Sequence, residues 1–114
     1  MLLGSDSNKE LLLQYNVMKM ERHTDMYKIL IIEDDAVISE QVSRYLVRWG
    51  YETACAEDFE NILPQFVSFA PQLVLLDIGL PFYNGYYWCG EIRKVSQVPV
   101  VFVSSASDNM NIVM

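Results

Sequence analysis

Lys28-Ile29-Leu30-Ile31-Ile32-Glu33-Asp34-Asp35 is the stretch on which the fold turns. After Lys28 the run is apolar without interruption, and three acids follow with no spacer. A strand that alternates apolar and polar residues has one wet face; a strand that does not alternate is covered on both faces, as in a parallel sheet flanked by helices. Immediately downstream, Ile38, Val42, Tyr45, Leu46 and Trp49 recur at i, i+4, i+7, i+8 and i+11. That spacing puts them on one helical stripe, and Gly50 supplies the stop. Strand, acids and crossover helix together predict the opening of an α/β domain.

The alternation continues. Tyr51 to Ala56 reads as a second, more exposed strand, and Phe59, Ile62, Leu63 and Phe66 fit a second helix with Pro64 in its first turn. Leu73-Val74-Leu75-Leu76 is a third strand ending at Asp77, and Val98 to Val103 is a fourth ending at Ser104. Tyr86 to Val95 is expected as the helix between them, and Asp108 to Met114 as the start of a further helix. The expected fold is α/β, a doubly wound parallel sheet.

Upstream of Met26 the character differs. Ser7-Asn8-Lys9-Glu10 has capping-box spacing, with Leu11, Tyr15 and Met18 following at helical intervals, so a short helix is expected there. The rival reading starts the protein at Met26, and an isolated helix of this length is marginal in water. Residues 1–25 are accordingly taken as an N-terminal extension and 26–114 as the domain.

The 114 residues suit one domain, and 15 acids against 8 Lys and Arg give a formal charge of −7 with no basic run. The electrostatic footprint of a nucleic-acid binder is missing, so this segment is not expected to hold nucleic acid. Cys55 and Cys89 lack metal-ligand or disulfide-framework spacing and read as free thiols of a reducing compartment. No apolar run approaches the roughly 18 residues of a membrane span, so no membrane contact and a cytoplasmic location are expected.

In open α/β sheets, functional groups gather beyond the carboxyl ends of the strands. Here that layer holds Glu33, Asp34 and Asp35 after the first strand, Asp77 after the third and Ser104 after the fourth. If the first and third strands are neighbours, their carboxylates converge. Two unit charges about 4 Å apart repel by about 4 kcal/mol at an effective dielectric near 20. Either a carboxyl stays protonated or a cation binds, and an all-oxygen set suits Mg²⁺. Asp77, followed by the turn-forming Gly79-Leu80-Pro81-Phe82-Tyr83-Asn84-Gly85, is the candidate nucleophile for an aspartyl phosphate. Ser104 is placed to hydrogen-bond the new phosphoryl group. Taken singly, each residue has a plainer reading: helix cap for the acids, turn former for Ser104.

Met26 to Met114 resembles the receiver domain of two-component response regulators, most closely the OmpR/PhoB type. The resemblance rests on Ile29-Leu30-Ile31-Ile32-Glu33-Asp34-Asp35, on Leu75-Leu76-Asp77-Ile78-Gly79-Leu80-Pro81 with Gly85, and on Pro99-Val100-Val101-Phe102-Val103-Ser104-Ser105. The short third helix with Tyr86-Tyr87-Trp88-Cys89 resembles a subgroup that serves antimicrobial-peptide-sensing kinases. The resemblance implies that Asp77 accepts phosphate from a sensor histidine kinase and that Ser104 is the switch hydroxyl. It also implies that Asp34, Asp77 and the Gly79 carbonyl ligate Mg²⁺, with Glu33 acting through water.

The family pattern continues past this stretch with a fifth strand, a Lys-Pro pair and a fifth helix, so the domain is expected to lack its fifth βα unit. On that reading about three large apolar side chains stay uncovered, and the chain is unstable or pairs with a second copy through the edge of the fourth strand. A DNA-binding output domain would belong to a longer protein. Two alternatives stand beside the phosphoacceptor: an interaction module that is not phosphorylated, or a fragment without function. A strand-end Asp also serves phosphatases, but those need Asp-x-Asp and position 79 is Gly; nucleotide binding lacks a Gly-rich loop after the first strand.

Overall fold

The computed structural model describes residues 7–21, 26–104 and 112–113. In chain order the elements are α1 (Ser7–Glu21), β1 (Lys28–Ile32), α2 (Ala36–Arg48), β2 (Glu52–Cys55), α3 (Leu63–Phe69), β3 (Leu73–Asp77), α4 (Gly85–Arg93), β4 (Val100–Val103) and β5 (Ile112–Val113). One sheet runs in the order β2-β1-β3-β4-β5. Its first four strands are parallel, and β5 lies antiparallel to β4. The four parallel strands, with helices on both faces, are the doubly wound sheet expected from the apolar runs, and among the described residues no fifth βα unit follows β4.

All five residues of β1 are buried, residues 29–32 as the unbroken apolar run requires and Lys28 with its Nζ bonded to the Phe69 carbonyl. On one face Leu30, Ile32, Val74, Leu76, Val100 and Phe102 form the core with Phe66 and Val67 of α3 and Trp88, Cys89 and Ile92 of α4. The other face carries α2, which packs chiefly over β1 and β2. There Leu75, Val101 and Val103 remain half-buried, and a cleft of about 160 Å³ opens between Ile31, Ile38, Val42, Leu75 and Val103.

Several expectations are corrected. The stripe on α2 is covered only in part: Ile38, Val42 and Leu46 are half-buried, Tyr45 is exposed and Trp49 is 78% exposed, while Ser39 is buried and Ser43 half-buried. The buried side of the helix also carries polar residues, and Ser43 Oγ and Thr53 Oγ1 of β2 lie 2.7 Å apart. The second helix starts only at Leu63. Before it, Asp58 and Asn61 make side-chain bonds to the backbone N–H groups of Glu60 and Leu63 that favour turns over helix. Pro64 takes the first turn as expected, and Ile62 still reaches the core.

The helix expected over 108–114 is a strand where it is described. Ile112 and Val113 pair with Phe102 and Val101, because the edge of β4 offers unpaired N–H and C=O groups and both residues favour extended backbone. The β4 edge expected to recruit a second copy is thus occupied at those two positions. The rest of that expected helix lies outside the described residues.

Candidate functional site

The sheet register builds the site. Ile32 pairs with Leu76, so the next residues, Glu33 and Asp77, leave neighbouring strands side by side. Asp77 pairs with Val103, so Ser104 stands one residue beyond on the other flank. Oxygens of Glu33, Asp34 and Asp77 all lie within 4.8 Å of one another. Glu33 is 6% exposed and Asp77 1%, whereas Asp34 faces solvent. Ser104 is half-buried and lines the cleft that Glu33 and Val103 also border.

The three acids after β1 divide their work. Asp35 is the N-cap of α2, and its Oδ1 accepts from the N–H groups of Val37 and Ile38 at 3.0 and 3.3 Å. Its own N–H donates to Glu33 Oε2 at 3.0 Å, which turns Glu33 inward. Asp34 is left at the rim of the pocket. The plainer cap reading therefore holds for Asp35 and not for its two neighbours.

Crowding buried carboxylates changes their protonation. The Glu33 carboxyl is pushed up to about 7, first by burial and further by the charges of Asp77 and Asp34; the Asp35 N–H opposes the shift. Near neutrality, without a cation, Glu33 is therefore partly protonated. A hard divalent ion fits this donor set because it replaces that proton and offsets the remaining repulsion.

The loop after Asp77 shapes the pocket floor. The Gly79 N–H donates to Asp77 Oδ1 at 3.2 Å, and a β-carbon at position 79 would meet nothing within 4 Å. Asn84 caps α4 by accepting from the Tyr87 N–H at 2.9 Å, and Gly85 donates to the Ile78 carbonyl at 2.9 Å. This last bond closes the loop against Asp77, where the sequence pattern alone indicates only a turn. Phe82, with φ of 66°, holds left-handed backbone in the same loop.

A doubly wound parallel sheet with an acidic pocket beyond its two central strands has the architecture of a receiver module of two-component signalling. The chain belongs to that family, for residues 29–114 match the response regulator receiver domain. The resemblance to the OmpR/PhoB type expected from the three motifs is upheld. Among curated relatives, the transcriptional regulatory protein YvcP of Bacillus subtilis is 45% identical over 89 residues, covering 78% of this chain and 38% of the relative. The chain thus spans about two fifths of that relative's length. Among solved structures, the N-terminal domain of the nisin resistance regulator NsrR, a lantibiotic response regulator, has a TM-score of 0.68 at 36% identity, covering 75% of this chain and 73% of that one. TrrA of Thermotoga maritima, solved with Mg²⁺ and BeF, has a TM-score of 0.66 at 35% identity, covering 72% of each chain. TrrA has also been solved in complex with the histidine kinase ThkA. The chain is thus a receiver module of the two-component response-regulator family.

Proposed function

We propose that Asp77 is the residue phosphorylated, that a sensor histidine kinase is the donor, and that the reaction depends on Mg²⁺. The observation that carries this reading is the burial of Asp77 at the tip of β3 within 4.8 Å of Glu33 and Asp34. Helix capping does not account for a carboxylate placed there, because Asp35 already caps α2 and Asn84 caps α4. Asp34, Asp77 and the Gly79 carbonyl would hold the ion directly, with Glu33 acting through water. Bound there, Mg²⁺ neutralises charge on the phosphoryl oxygens, so that an anion can approach an acidic pocket.

The chain's own residues do the rest. An Asp77 carboxylate oxygen bonds to phosphorus as the P–N bond of the donor's phosphohistidine breaks, and the electron pair returns to the imidazole. Gly79 N–H steadies Asp77 Oδ1 through this step. The Ser104 hydroxyl donates to the phosphoryl group and is drawn toward it, which moves the chain beyond β4. The module is a switch rather than an enzyme acting on other molecules, and it works in the cytoplasm; among the described residues no helix is long and apolar enough to cross a membrane. In a longer protein the output would be transcriptional, as the name of YvcP suggests, and likeness to NsrR supports a stimulus among peptide antibiotics.

Intact mass after incubation with Mg²⁺ and acetyl phosphate tests the proposal. One phosphoryl adduct is expected on the wild-type chain, and none on Asp77→Asn or in EDTA. An adduct that survives Asp77→Asn would move the site elsewhere. A folded chain that takes no phosphoryl group would favour an interaction module.

A further inference from the structure

We infer that α1, which precedes the family match, is an intramolecular latch that clamps the α3–β3 connection through Tyr15. The matched region begins at residue 29, whereas Tyr15 lies in the core. Its ring stacks on Phe66 of α3 with centroids 5.3 Å apart and planes 6° off parallel, and only 3% of the residue is exposed. Its hydroxyl donates to the carbonyl of Pro71. Leu11, one turn earlier, packs against the same core.

The place of attachment gives the contact its consequence. α3 ends at Ala70, a non-glycine residue in left-handed backbone with φ of 53°, and Pro71 and Gln72 then lead into β3. Left-handed backbone is strained for alanine, so the turn persists only while its surroundings hold it. From one side, Lys28 Nζ donates to the Phe69 carbonyl at 3.1 Å, and the Lys28 backbone exchanges bonds with Gln72 at 2.7 and 2.8 Å. From the other side stands Tyr15. The strained turn is thus gripped between β1 and α1, at the opposite end of β3 from Asp77. Asn16 of α1 lines the adjoining cleft together with Tyr27, Gln72, Ser96 and Gln97.

Such a latch makes residues 7–21 part of the cooperative unit instead of an appendage. Hydrogen exchange on the full chain tests it, read on wild type, Tyr15→Ala and Tyr15→Phe. Amides 11–16 are expected to be protected in the wild type. Tyr15→Ala should raise exchange about tenfold or more both there and in residues 66–72, and lower the melting temperature by on the order of 10 °C. Mg²⁺ affinity should stay unchanged, since Asp77 lies roughly 20 Å along the chain from Pro71. Tyr15→Phe, which keeps the stack and loses the hydroxyl, should show a smaller rise in the same two segments. Wild-type amides 11–16 exchanging at unprotected rates would overturn the inference, as would exchange that rises in α1 alone while residues 66–72 and the melting temperature stay put. If Tyr15→Ala does not fold, wild type and Tyr15→Phe decide by the same two segments.

Discussion

Gly85 runs so close to the phosphoacceptor candidate that a β-carbon at position 85 would overlap the Asp77 carbonyl oxygen and stand 3.0 Å from the Ile78 Cα. Both obstacles are backbone, and the Gly85 N–H is bonded to Ile78, so neither side can yield by rotating a side chain. Gly85→Ala should therefore destabilise the domain by about 1–3 kcal/mol, the usual cost of overpacking. Urea unfolding reads the loss. Gly79→Ala is the control: its β-carbon meets nothing within 4 Å, and its stability should stay within about 0.5 kcal/mol of wild type. Equal effects at the two positions would mean that the loop is not closed against Asp77.

The elevated Glu33 carboxyl makes metal-free stability depend on pH with a definite sign. The unfolded chain releases this proton near 4.5, and the folded chain holds it until about 7. The folded state binds more protons between those values, so stability falls as pH rises through the window. The contribution is complete below pH 4.5 and is lost above 7, and its size is at most about 3 kcal/mol. Thermal unfolding in EDTA from about pH 4.5 to 8 should show the decline, Glu33→Gln should flatten it, and Mg²⁺ above pH 7 should restore what was lost. A rise in metal-free stability over the window in wild type, absent in Glu33→Gln, would contradict the shift.

How much of this was legible follows from particular residues. The β1 run and the acids after it could be read because burial on both faces leaves no polar residue between Ile29 and Ile32, and the convergence of Glu33 with Asp77 follows once β1 and β3 are adjacent. How much of the α2 stripe is covered was not legible. Ile38, Val42, Tyr45, Leu46 and Trp49 recur at helical spacing, yet only Ile38, Val42 and Leu46 are half-buried, and Ser43 meets Thr53 of β2. Ile112 and Val113 are ambiguous between helix and strand in so short a run, and the open edge of β4 decides. Tyr15 carried a helical interval but no hint of its partner, since Phe66 lies far along the sequence in another helix.

Phosphorylation and metal binding should separate cleanly from stability at Asp34. Its carboxylate is at the rim of the pocket and adds to the repulsion around Asp77 and Glu33. Asp34→Asn removes one charge without leaving a buried gap, so the metal-free chain should be as stable as wild type or slightly more so. The Mg²⁺-induced rise in melting temperature should vanish, and phosphoryl uptake from acetyl phosphate should fall by about tenfold or more, with one of the proposed ligands gone. Undiminished Mg²⁺ stabilisation in this variant would remove Asp34 from the ligand set.

Asp35 offers the mirror image, since it sits one residue away and carries the same charge. Its Oδ1 satisfies two N–H groups at the start of α2, and its carboxylate stands at the positive end of the helix dipole. Asp35→Ala should cost about 1 kcal/mol in urea unfolding with or without Mg²⁺, while leaving Mg²⁺ affinity within about twofold of wild type. Asp35→Asn should recover most of that stability, because an amide oxygen caps almost as well. If Asp35→Ala instead weakened Mg²⁺ binding by about tenfold at unchanged stability, the division of labour among the three acids would be wrong. The bond from the Asp35 N–H to Glu33 survives either substitution, because it is made by the backbone, so the orientation of Glu33 is not what these variants would disturb.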